Sequence, residues 1–143
     1  MATVGNSYNA ILTPTVGTAA YIAGDAVGGI LTFPNVEGVG GGRFTIDSIY
    51  ISDKSKTHPA LFIEFFKATP ASGTYTDGSA LVYGTGDRAN SIGLVSILAA
   101  DWVDLPRVTA TSSSVSVNDL NIGVVGGNQN LYALIHADSA FSL

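Results

Sequence analysis

Short segments of alternating or β-branched residues recur along this chain, and a cluster of turn-forming residues separates each from the next. The segments are TAAYI (18–22), GILTF (29–33), RFTIDSIYIS (43–52), ALFIEFFK (60–67), SALVY (79–83), SIGLVSIL (91–98), RVTATSSSVSV (107–117), LNIGVV (120–125) and NLYALIHA (130–137). Between them lie stretches such as SDKSKTHP, SGTYTDG, GTGDRAN and GGNQN, whose Gly, Asn, Asp and Ser residues tolerate turn dihedrals. Strand starts spaced roughly 10–15 residues apart are the rhythm of an antiparallel sandwich. Apolar residues never recur at i, i+3, i+4 and i+7 for long enough to build an amphipathic helix. AADWVDLP (99–106) has room for one helical turn, ended by Pro106. The expected fold is therefore all-β, an antiparallel β-sandwich or jelly roll of about eight to nine strands.

The first 15 residues do not share this pattern. Gly5, Asn9 and Pro14 interrupt any strand or helix, yet Val4, Tyr8, Ile11 and Leu12 are apolar enough to favour burial. Residues 1–15 read as an irregular N-terminal arm that orders on a neighbour, and residues 16–143 as a single β-sandwich domain. Two strands look apolar on both faces. In 43–52, Phe44, Ile46 and Tyr50 alternate against Ile49 and Ile51; in ALFIEFF, Leu61, Ile63 and Phe65 alternate against Phe62, Glu64 and Phe66. Such strands are central to two layers or are covered by another molecule, and we expect one face in the core and part of the other in a subunit contact.

Glycine-rich loops raise the question of nucleotide binding. A dinucleotide loop needs G-x-G-x-x-G between a strand and a helix whose N-terminus holds the phosphate. GVGGGR (38–43) has Arg43 at the last glycine position and runs into a strand. GTGDRA (84–89) fits G-x-G-x-x-A, but β-patterned NSIGLVSIL follows it. Both read as turns.

Charge removes further classes. Only 12% of residues are charged, where an ordinary soluble domain has roughly 25%. A surface this neutral, with mean hydropathy +0.35, suggests burial against copies of the chain or a larger partner. The net charge is −5 and the six Lys and Arg residues are scattered, so no basic stripe for nucleic acid exists. No uninterrupted apolar run suits a membrane span, and MATVGNSYNA lacks the basic and apolar regions of a signal peptide. The chain has no cysteine, which excludes disulfides and thiolate chemistry and leads us to expect folding in the cytoplasm.

Sites of chemistry are sparse. His58 and His136 lie far apart without ligand spacing, and Asp101 and Asp104 match no calcium loop. No metal and no cofactor is expected, so melting should be indifferent to reductant and chelator. A large fall in melting temperature with EDTA would overturn this. No serine elbow is present. Glu37 and Glu64 are the sole glutamates, and Glu64, inside an apolar strand, is read as facing solvent or pairing with a lysine. No catalytic residue is assigned. Trp102, the only tryptophan, is read as a core plug or a contact residue; exposed together with Tyr75 and Tyr83 it would instead suit sugar stacking.

The succession YIAGDAVGGILTF, GRFTIDSIYISDKSK, PALFIEFFKATPASGTYTDGSALV, GLVSILAADWVDL and LYALIHA, over about residues 20–137, resembles small virion structural proteins of tailed bacteriophages. It looks like their capsid decoration, or cement, proteins. The resemblance implies a β-sandwich, often a homotrimer, that binds the outer surface of the major capsid protein and stabilises the shell, with no catalytic residues to transfer. The virion surface would be its location, after assembly in the host bacterial cytoplasm. An acidic balance suits the outer face of a shell better than the DNA-facing side. The partner-binding candidates are Val4, Tyr8, Ile11, Leu12 and Trp102. The alternatives are another virion component, such as a tail or head-fibre part, or a carbohydrate-binding module.

Overall fold

The computed structural model describes residues 9–34, 36, 44–105, 112–124 and 130–143. Its strands are β1 (Ala26–Phe33), β2 (Phe44–Ile46), β3 (Ile49–Asp53), β4 (Leu61–Phe66), β5 (Ser91–Ile97), β6 (Val103–Asp104), β7 (Ser113–Val117), β8 (Ile122–Val124) and β9 (Leu131–Ala137). All pair antiparallel. Helix among these residues is confined to one turn of α-helix, α1 (Thr85–Arg88), and a 3₁₀ turn at Ala99–Asp101. The chain is all-β and sandwich-like.

The larger sheet has the order β1-β9-β4-β5. Registers such as Leu61 opposite Ala137 and Ile97, and Ile63 opposite Ile135 and Val95, put every apolar residue of odd number in β4, β5 and β9 on one face. That face packs against the inward residues of a second layer, formed by β3-β7-β6 and β2-β8. Leu31, Leu61, Ile63, Phe65, Val95 and Ile97 meet Val115, with Phe44, Ile46, Ile49, Ile51 and Ile122 packed around them. Full burial of each such side chain stabilises the fold by about 1.5–3 kcal/mol.

The two-faced appearance of residues 43–52 has a local cause. The segment is not one strand. It breaks at Asp47-Ser48, where Leu120 N–H donates to Asp47 O at 3.0 Å, and the partner strand bends too, with Asp119 and Asn121 at φ of 58° and 48°. Asp and Asn accept this left-handed backbone better than bulkier residues. The break resets the alternation, so Phe44 and Ile46 point into the same core as Ile49 and Ile51, and only Tyr50 is left outside, 65% exposed. No second molecule is needed to bury this strand.

The second face of β4 is covered by the chain itself. Residues 67–90 leave β4 and fold back over the outer side of the large sheet before entering β5. Phe66, Tyr132 and Leu134 lie beneath Tyr75, Leu81 and Tyr83. Expected strands at 18–22 and 79–83 reduce to isolated bridges, Tyr21 with Phe141, Asp25 with Ala80 and Thr74 with Val82. Their backbone groups are taken up by turn contacts, such as Leu81 N–H to Gly24 O at 2.9 Å, before a ladder can extend.

Residues 9–20 form no strand. From Leu12 onward, however, the segment is docked on its own domain. Leu12 packs on the core, and Pro14 sits so close to Gly28 that a Cβ there would lie 2.6 Å from the proline ring. Gly28 and Gly29 take φ of 77° and 67° and form a bulge in β1 that glycine alone adopts without strain. Gly17 N–H donates to Asp77 at 2.7 Å. Removing residues 2–17 strips away Leu12 and the Asp77 contact, and should lower the melting temperature by several degrees.

Candidate interaction surface

Four carboxylates, Asp25, Asp53, Glu64 and Asp87, are buried. Asp87, on α1, accepts hydrogen bonds from Ala71 N–H at 3.0 Å, from Ser72 N–H and Oγ at 2.9 Å each, and from the Tyr75 hydroxyl. The Tyr75 bond, followed by the Ala71 amide, holds the Asp87 carboxyl down at about 2. This cradle also explains GTGDRA. The segment does make a helical turn, contrary to the sequence expectation, because Asp87 ties it to the loop at 71–75. Gly84 is required for space, since a Cβ there would collide with Ser72. The glycine-rich run at 38–42 lies outside the described residues, and the strand read after it begins at Phe44.

Asp77 plays the same part in the middle of the excursion. It receives Gly17 N–H, Gly28 N–H at 2.6 Å and the Tyr21 hydroxyl at 2.8 Å. Burial alone would raise its pKa; these three bonds outweigh that and hold it below the usual carboxylate range. The Tyr21 phenol is pushed up to about 12, by burial first and then by the Asp77 bond. Asp53 folds the β3–β4 loop around itself through Ser55 and Thr57. There too burial opposes, and the four bonds win.

Glu64 corrects the sequence reading. It is buried, it accepts from Ser91 Oγ at 2.6 Å, and it neither faces solvent nor pairs with a lysine. The Tyr83 hydroxyl is buried without a bond of ordinary geometry. Burial, then the neighbouring Glu64 carboxylate, keep that phenol protonated well beyond its normal range. His136, stacked on Phe62 with ring centroids 5.0 Å apart, is driven toward its neutral form by burial, against the pull of Glu64 and Asp138.

One polar cluster is at the surface. His58 Nε2 lies 2.8 Å from Asp104 Oδ1, and Lys56 Nζ lies 3.5 Å from Oδ2. Lys56 and His58 hold left-handed φ of 56° and 47°, costing about 1–2 kcal/mol each, so this pair fastens a strained loop to β6. Among the described residues, no three acidic or histidine side chains are grouped to hold a metal ion, and no helix is long and apolar enough to cross a membrane.

The sequence-derived contact candidates separate. Val4 and Tyr8 lie outside the described residues. Ile11 is 85% exposed, whereas Leu12 is turned into the protein's own core. Trp102 is only 7% exposed and donates its indole N–H to Pro59 O at 2.8 Å, which makes it a plug for the end of the sandwich. Its emission should be blue-shifted in the native protein and move to longer wavelength on unfolding; a solvent-like native spectrum would contradict this placement. Tyr75 is buried as well, so the sugar-stacking platform of Trp102, Tyr75 and Tyr83 does not exist. The large apolar side chains that are exposed include Ile22, Tyr50, Leu94, Leu98 and Val103. Alternation and a following charge hid this set, because it depends on which strand ends at an edge. Compared with protein-family models, curated proteins and solved structures, the chain matches none.

Proposed function

We propose that the protein is a non-enzymatic structural component that binds the outer surface of a larger shell and stabilises it, as the capsid decoration proteins of tailed bacteriophages do. What carries this reading is the direction in which the charges point. The chain has eleven acidic residues. Asp25, Asp53, Glu64 and Asp87 are buried, and Asp77 is engaged by three donors. The outer surface is therefore still less charged than the composition suggests, while Ile11, Tyr50, Leu94 and Val103 stand exposed on it. Neutral, partly apolar surfaces favour lasting contact with other proteins over free solution. On a shell, many modest contacts per particle add to a large total. The major capsid protein is the proposed partner, and self-association into an oligomer, a trimer by resemblance, fits the same surface.

The test is co-sedimentation with shells stripped of their outer proteins, followed by heat disruption of the loaded shells. Saturable loading and a higher disruption temperature are expected. Absence of the protein from the pellet at saturating concentration would overturn the proposal.

A further inference from the structure

We infer that the excursion at residues 67–90 is a strap that opens as a unit while the sandwich stays folded, and that Asp77 and Asp87 are the fasteners a proton releases. The inference stands independently of shell binding, since it rests on how this segment is attached.

The strap connects β4 to β5, and the ladder between those strands closes beneath it. Phe66 pairs with Ser91, and Lys67 N–H donates to Asn90 O at 3.0 Å. The strap can therefore lift away without breaking a hydrogen bond among the four strands of the large sheet. Its apolar contacts are separate too. Tyr75, Leu81 and Tyr83 pack on Phe66, Tyr132 and Leu134, and no residue of 67–90 joins the core between the two layers. A segment with its own small set of contacts opens at a lower free energy than the whole domain.

The side chains that fasten it are carboxylates with no cation beside them. Asp77 Oδ1 accepts from Gly28 N–H and the Tyr21 hydroxyl, and its Oδ2 accepts from Gly17 N–H. Asp87 Oδ1 accepts from Ala71 N–H, and its Oδ2 from Ser72 N–H, Ser72 Oγ and the Tyr75 hydroxyl. Both oxygens of both carboxylates are thus occupied. An ionised carboxylate only accepts, whereas a protonated one must donate from one oxygen. A proton therefore enters only by displacing a donor, and the bonds that remain lose the charge that roughly doubles their strength.

The groups facing these carboxylates do not offset that loss. The Tyr21 phenol stands against Asp77, with Asp25 acting on the same phenol. Tyr75 stands against Asp87, and Glu64 acts on both Tyr75 and Tyr83. Arg88 lies over the Tyr83 ring, 5.2 Å from its centroid. Among the described residues no lysine, arginine or histidine is in ion-pair contact with Asp77 or Asp87. Asp77 binds the strap to residues 17–28, and Asp87 holds the strap's own shape. Protonating both loosens attachment and shape together, and uncovers Phe66, Tyr132 and Leu134.

Amide hydrogen exchange of the full chain, read residue by residue by NMR, tests this alongside the emission of Trp102, which lies in the sandwich core. The reporters are Gly28, Gly78 and Leu81, whose N–H groups bridge strap and sandwich. At pH 7 the wild-type reporters should exchange about tenfold or more faster than the slowest amides of β9. Asp77→Asn with Asp87→Asn should speed the reporters by about a further tenfold, with Trp102 emission still blue-shifted. Asp53→Asn, in a different loop, should leave the reporters unchanged. In the wild type, reporter exchange corrected for the intrinsic rate should rise between about pH 4 and pH 2, before Trp102 emission moves. One common rate for reporters and β9, or Trp102 emission that shifts to longer wavelength in the double variant or in step with the acid effect, would overturn the separate opening. Reporters unmoved by the double substitution, or moved equally by Asp53→Asn, would overturn the part given to Asp77 and Asp87.

Discussion

Replacing Phe66 with alanine is expected to destabilise the protein by about 3–5 kcal/mol, a large part of the 5–15 kcal/mol typical of a domain. Phe66 is fully buried at the end of β4, a central strand of the large sheet. Its ring packs with Tyr75, Tyr132 and Leu134 and lies 6.2 Å from the Tyr83 ring. The walls of this site cannot collapse into the vacated space. Tyr132 and Leu134 belong to β9, a second central strand, and Tyr75 is tied to Asp87. Truncation therefore loses the burial of the ring and leaves a cavity. Urea unfolding should show a lower midpoint with an unchanged slope. Leu94→Ala, on an exposed side chain, should cost less than about 0.5 kcal/mol in the monomer. A Phe66→Ala loss below about 1 kcal/mol would mean that residues 67–90 do not pack on the sheet.

Acid should weaken the fold between about pH 4 and pH 2. Asp87 has a folded value of about 2, and Asp77 and Asp53 are also held below the ordinary carboxylate range. A carboxylate near 3.9 in the unfolded chain and lower in the folded one binds its proton more readily when unfolded. Its stabilisation is fully present above about pH 4 and disappears as the pH falls through the folded value. The loss should be cooperative in effect, because Asp77 and Asp87 both fasten the excursion that covers Phe66. Urea midpoints at pH 7, 4, 3 and 2 should fall steeply over the last three. Asp87→Asn should lower the midpoint at pH 7 and flatten the acid limb, since the amide cannot titrate. An acid limb as steep as in the wild type would assign the loss to other groups. At alkaline pH the sign reverses for Tyr21. Its folded value of about 12 means that its contribution holds below about pH 10 and is lost as the pH rises toward 12.

Much of the architecture was legible from local chemistry. Period-two alternation in LFIEFF and LYALIHA, bounded by turn residues, marks β4 and β9 within a residue or two of their observed ends. Turn chemistry marks Asp77-Gly78 and the stretch ending at Asn90 as turns, and Pro106 leaves room for only the short 3₁₀ turn seen at Ala99–Asp101. These features depend on φ preferences and side-chain alternation, which each residue carries wherever the chain goes. The contact surface was much less legible. Ile11 was named and is exposed, but Leu12 and Trp102 point inward and Leu94 was passed over as an ordinary strand residue.

Burial at a given position depends on what the far parts of the chain bring to it. Phe44, Ile46, Ile49 and Ile51 look two-faced until the break at Asp47-Ser48, stabilised by Leu120, turns both pairs inward. Glu64 looks like a surface charge until residues 67–90 return over the sheet and Ser91 supplies its donor. Leu94 is exposed because β5 is the last strand of its sheet, a matter of strand order. By itself the sequence determined that this chain forms antiparallel strands, lacks thiol chemistry and presents few charges. Which faces are covered, which carboxylates are internal and which edge is left open were decided only by tertiary structure, because each depends on a partner dozens of residues away.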